Sequence, residues 1–146
     1  MFGFLKMFGT DPAQARRDEA VTRLDTAAEN FRRAAEACAA PQSQVFWHLA
    51  GATSELRNRI AAAPGQIAPL RKLIFHFIPQ MSEICLRWAR LATANPLADP
   101  DPKALEEFGA YLALIRDAEQ SCLTKRYDAL HMSMQVMEGQ MKRHIS

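Results

Sequence analysis

The sequence lacks any apolar run long enough to cross a bilayer. A spanning helix needs about 20 consecutive apolar residues, and the strongest stretch, Leu73 to Ile78, is short and interrupted by His76. Cysteine is scarce: Cys38, Cys85 and Cys122 are the only three, an odd number without clustered spacing. That argues against a disulfide framework and suits small buried hydrophobes in a reducing compartment, so the expected location is cytoplasmic. Neither CxxC nor HExxH occurs, and a metal would need ligands gathered from distant helices. No metal or cofactor is therefore expected. Nor does one sign of charge dominate. The 18 basic and 16 acidic residues leave a net charge of +2, and no basic run exceeds two residues, which argues against nucleic acid as a partner. No segment alternates apolar and polar with period two, so no sheet is expected.

What is present is ordinary for a globular chain. At 146 residues, 49% hydrophobic and 23% charged, it reads as one domain with a real core. Residues 1–10 form a separate apolar peptide, and residues 11–146 form the domain. The peptide lacks a small-residue cleavage site and is broken by Lys6, so it is not read as a secretory signal.

The domain reads as all-α, a bundle of four to five helices. Asp11 can cap a first helix with Pro12 at its first position. That helix is expected to reach about Ala40, with Val21, Leu24, Ala28, Phe31, Ala35 and Cys38 on its core stripe. Pro41 disfavours helix in the residue before it. Ser43 can cap a second helix to about Ala63, with Phe46, Leu49, Thr53, Leu56 and Ile60 inward, until Pro64-Gly65 breaks it. The third helix carries the strongest pattern: Ile67, Leu70, Ile74, Phe77, Met81, Ile84, Trp88 and Leu91 step by three and four. Leu73, Phe75, Ile78, Cys85 and Leu86 widen that face, so this helix should be central. Pro79 should kink it by removing one hydrogen bond and freeing the Phe75 carbonyl. After the turn at residues 95–102, a fourth helix starts near Lys103 with Leu105, Phe108, Leu112, Ile115 and Cys122 inward. Tyr127, Leu130, Met134, Met137 and Met141 are offset from that stripe. We therefore expect a break with Asp128 as the cap of a fifth helix.

Residues 72–91 (KLIFHFIPQMSEICLRWARL) and 112–143 (LALIRDAEQSCLTKRYDALHMSMQVMEGQMKR) resemble the XpaC-like proteins, the 5-bromo-4-chloroindolyl phosphate hydrolysis family. The first stretch is similar to that family's aromatic helix with an internal proline. The second is similar to its closing helices, with Val136, Met137, Glu138, Met141 and Lys142 matching the ending. The resemblance spans residues 72–143. It implies a helical protein linked with toxic-anion (tellurite) resistance and supplies no catalytic residue. Members often carry N-terminal transmembrane helices, which this chain lacks.

Few residues point to chemistry. Cys122 and Arg126 stand too close for a phosphate-cradling Cys-phosphatase loop, and no paired Asp motif or Arg-His-Gly motif appears. His48, His76, His131 and His144 have no histidine or glutamate one helical turn away, and the Glu-x-x-His pairs of a di-iron bundle are missing. No catalytic residue is assigned. Arg71, Lys72, Arg87 and Arg90 give the third helix a basic edge, a candidate anion-binding site. Met132, Met134, Met137 and Met141 could pack a core or line a permissive groove. Phe2, Phe4, Leu5 and Phe8, beside Lys6, form a candidate partner-binding or membrane-binding peptide, peripheral at the inner face of the membrane. The expected function is a non-catalytic helical interaction or adaptor protein with a protein partner. Alternatives are a small-molecule or anion-binding protein, or an accessory factor in phosphate-ester hydrolysis. The alanine-rich first helix and the heptads of the third suit either an intrachain core or a homo-oligomer.

Overall fold

A computed structural model describes residues 11–94 and 102–145, with side chains to residue 142. Among the described residues there are five helices and no strand. Helix α1 spans Pro12–Ala37 and α2 spans Gln42–Ala62. A 3-10 turn, Pro64–Gln66, leads into α3, which covers residues 67–94 in three joined pieces. These are an α-helical turn Ile67–Lys72, a widened π-helical turn Leu73–Phe77 and a long α segment Ile78–Ala94. Helix α4 spans Pro102–Thr124 and α5 spans Asp128–Ile145. The N-terminal peptide, with Phe2, Phe4, Leu5 and Phe8, lies outside the described residues.

The helix ends follow local chemistry, with small departures from expectation. The Asp11 carboxylate accepts from the Ala13 N–H at 3.1 Å, and Pro12 takes the first helical position, where its missing N–H costs nothing. Helix α1 stops at Ala37 rather than Ala40. Cys38 already has extended dihedrals, because the chain must leave the helical region ahead of Pro41. Ser43 is not the cap of α2. It lies inside the first turn, and its own N–H bonds to the Ala39 carbonyl at 3.3 Å. Pro102, not Lys103, opens α4, since its fixed φ suits a first turn. The break before α5 is made by Lys125, whose φ of 57° is left-handed and whose N–H closes on the Ser121 carbonyl at 2.7 Å, a C-terminal stop that usually falls to glycine. Asp128 is the first residue of α5 rather than the cap before it. Its carboxylate still favours the positive end of the helix dipole.

Pro79 bends α3 through the turn ahead of it. Its ring would collide with the Phe75 carbonyl in a regular helix. Instead the N–H of Ile78 reaches back to the Leu73 carbonyl, a wider π-type closure that takes up an extra residue. The buried stripe is therefore carried on by about one position. Ile67, Leu70, Ile74, Phe77, Met81 and Ile84 are buried as expected, but past the bend Ile78, Cys85 and Ala89 share the buried side. Trp88 is only half-buried, and Leu91, expected on the core stripe, is 65% exposed.

Cross-helix contacts fix the arrangement. Asn30 donates to the Ser82 hydroxyl at 3.2 Å and Thr93 donates to the Ala37 carbonyl at 2.7 Å, so α1 and α3 run parallel. Arg57 meets Asp25 at 3.1 Å, across antiparallel α1 and α2. Phe46 packs on Phe108 with ring centroids 5.3 Å apart, and Arg59 meets Glu119 at 2.8 Å, so α2 and α4 run parallel. Helix α5 lies against the first part of α3, where His131 approaches the Pro69 carbonyl at 2.9 Å. The core joins Leu24, Phe31, Phe46, Leu49, Leu56, Ile60, Leu73, Ile74 and Ile115. Each such side chain stabilises the fold by about 1.5–3 kcal/mol relative to exposure. Ala20, Ala27, Ala34 and Ala35 on α1 are also buried, and their small side chains let helices approach closely.

Candidate functional site

Among the described residues four surface depressions gather polar side chains, and each is built by helix faces the pattern had placed. The first lies between α3 and α5. Arg71, Lys72, His76, Phe77, His131 and Glu138 are among the residues that line a cleft of about 610 Å³. The Lys72 ammonium sits 3.3 Å from Glu138 and 5.7 Å from the centre of the Phe77 ring. One of the four residues of the proposed basic edge is thus already engaged by a carboxylate and an aromatic face. The second cleft, about 620 Å³, lies on the outer side of α3 and holds Gln80, Glu83, Arg87 and Arg90. The four basic residues are all exposed, yet the structure splits them into two pairs around different depressions.

The third depression runs between α2 and α4 and was not legible in the sequence. Trp47, His48, Gly51, Glu55, Arg59, Arg116, Glu119 and Leu123 border a cleft of about 560 Å³. Its floor is the Arg59–Glu119 pair. The Glu119 hydrogen bond, with its charge and that of Glu55, raises the Arg59 pKa further above its ordinary value, against a smaller loss from burial. Glu119 interrupts the apolar stripe of α4, and that intrusion was the one sequence signal for this pair. A fourth depression continues the cleft toward Gln66 and Cys122.

Thiol chemistry finds little support. Burial raises the pKa of Cys38 and Cys122 and raises that of Cys85 strongly; at Cys122 a Tyr127 hydrogen bond and Arg59 oppose the rise. A protonated buried thiol is a poor nucleophile. Among the described residues no three His, Cys, Asp or Glu side chains converge as a metal site would require. The Tyr127 hydroxyl bonds to Gln66, and Gln66 reaches the Cys122 carbonyl at 3.5 Å, so these groups tie helix ends together. Tyr111 is different. It is 1% exposed, and its hydroxyl has no hydrogen-bond partner among the described residues. Burial, with smaller contributions from Cys85 and Glu107, pushes its pKa well up.

Bulky apolar side chains also remain outside the core. Met132 is 69% exposed and Val136, one turn on, is 66% exposed. Ala129, Ser133 and Gly139 lie on the same outer side of α5 and are exposed as well, with Asp128 one turn before Met132 at its start. Met134, Met137 and Met141 face inward, so the methionines of α5 divide between core and surface. Comparison with known proteins found no matching family model, no matching curated protein and no matching solved structure.

Proposed function

We propose that the chain is a non-catalytic interaction or adaptor protein that holds a protein partner on a helix face, with the outer side of α5 as the principal surface. The observation that carries this reading is the pair Met132 and Val136, exposed one turn apart on the outer side of α5. Bulky apolar side chains at helical spacing are the anchors by which helices enter partner grooves, and methionine adapts to irregular partners. The apolar peptide with Phe2, Phe4, Leu5 and Phe8 supplies a weaker, reversible contact with the inner face of the membrane. No helix among the described residues is long and apolar enough to cross a membrane. The resemblance of residues 72–143 to the XpaC-like proteins supports a cytoplasmic role in toxic-anion stress.

A second reading, anion or small-molecule binding, is favoured by Arg87 and Arg90. They share one open cleft with Glu83, and neither forms an ion pair with another described residue. Affinity capture separates the two. The full chain and a Met132→Glu/Val136→Glu variant serve as baits in lysate of the source cells, after circular dichroism shows both folded. A protein held by the native chain and lost from the variant supports the adaptor reading. Equal capture by both, or turnover of a phenyl phosphate ester by the purified chain, overturns it.

A further inference from the structure

The α2/α4 face is complementary to itself. Both helices run the same way, and two contacts fix their levels: Phe46 against Phe108 near one end, and Arg59 against Glu119 near the other. On the outer side, Trp47 of α2 is then level with Gly109 of α4. Trp47 is 46% exposed, and a Cβ added at Gly109 would meet nothing within 4 Å. One end therefore sets a large projecting side chain beside a bare one. At the other end the order is reversed: Leu123 of α4 is 57% exposed and level with the small, exposed Ala62 of α2. Between them Glu55 on α2 is level with Arg116 on α4. Both are exposed, both border the same cleft, and neither forms an ion pair among the described residues.

We propose that two copies of the chain associate through this face, with α2 of each lying on α4 of the other. A twofold axis along the helices makes such a contact isologous, so every pairing occurs twice. Trp47 then covers the partner copy's Gly109, where nothing blocks close approach. Leu123 covers Ala62. Glu55 meets Arg116 in both directions, giving each carboxylate and guanidinium the ion pair it lacks among the described residues. Charge selects this occupant. The face alternates sign along each helix, negative Glu55 then positive Arg59 on α2, positive Arg116 then negative Glu119 on α4. A ligand of one sign would meet repulsion at half of these positions, whereas a second copy meets the opposite sign at each. Trp47 supplies the kind of aromatic anchor that dominates interface energetics. The proposal does not depend on the α5 surface, which lies on another helix.

Sedimentation equilibrium on the full chain tests it. The native protein should pass from 16.4 kDa to twice that mass as concentration rises through the range of about 1 µM to 1 mM, where a modest interface titrates. Glu55→Arg alone and Arg116→Glu alone should each hold the protein at the single-chain mass, because each sets two like charges together twice. Mixing the two variants should restore the doubled mass, since every contact in the mixed pair is again opposite in sign. Both positions are exposed, and circular dichroism confirms that the variants fold. A native chain that stays at the single mass throughout, a single variant that keeps the doubled mass, or a mixture that fails to recover it would overturn the proposal. Met132→Glu/Val136→Glu should leave the mass unchanged, so the two surfaces stand or fall separately.

Discussion

The two ends of α3 are covered by helices of opposite character. Residues 78–94 lie against α1, which presents Ala27, Ala34 and Ala35 with Leu24 and Phe31. Residues 67–77 lie against α5, which presents Leu130, Met134, Met137 and Met141, with α1 reaching only the π-helical turn, where Arg23 stands 6.0 Å from the centre of the Phe75 ring. Alanine loses no rotamer freedom on burial, while a buried methionine loses about 1.5–2 kcal/mol. The α1 side is also tied to α3 by Asn30–Ser82 and Thr93–Ala37, whereas the α5 side relies on the exposed Lys72–Glu138 pair and on His131. Helix α5 should therefore open more readily than α1, with the rest of the bundle intact.

Core truncation puts the sharpest strain on that difference. Phe31→Ala should destabilise the whole protein by about 3–5 kcal/mol, read as a lower urea midpoint with one cooperative transition. Met137→Ala removes a comparably buried side chain, yet its global cost should sit near the lower end of the ~2–5 kcal/mol range for such changes. Its main effect should be faster hydrogen exchange confined to α5. Equal exchange in α1 and α5 of the native chain would break the comparison outright.

The bundle and most of its core could be read from three-and-four spacing, because a helix stripe that sheds water is a one-dimensional signal. Phe46, Leu49, Thr53, Leu56 and Ile60 were all placed correctly. Leu91 was not, since the π turn before Pro79 shifts the stripe and no local residue announces by how much. Ala20, Ala27 and Ala34 were missed because alanine is equally at home on either side of a helix. The α2/α4 cleft was invisible for another reason. Arg59 and Glu119 are distant in sequence, and only packing brings them together.

The tighter end of α3 carries a liability of its own in Tyr111, which joins the cluster of Phe46, Trp88 and Phe108. Its folded-state pKa is raised by burial above the ordinary value of about 10. The folded state therefore holds its proton while the unfolded chain gives it up. Stability is fully present below about pH 10 and falls above it, by up to about 1.4 kcal/mol per pH unit for this one group. Tyr111→Phe should remove that group's contribution to the alkaline slope. At neutral pH it should leave stability unchanged or slightly raised, because an unpaired buried hydroxyl costs about 1–3 kcal/mol. Denaturant titrations at pH 7 and pH 11 check both halves.

The smallest effect is expected at the looser end. Lys72 and Glu138 are each more than a third exposed, and exposed pairs contribute about 0.2–1 kcal/mol. Lys72→Met keeps the stem that lies toward Phe77 and removes the charge. Near physiological ionic strength it should raise the exchange rate of α5 amides slightly and leave those of α1 untouched. In about 1 M salt, where the screening length falls to about 3 Å, native and variant should exchange alike. A loss that persists in salt would mean that the ammonium acts through something other than its screened pair with Glu138, since the Phe77 ring belongs to α3 itself.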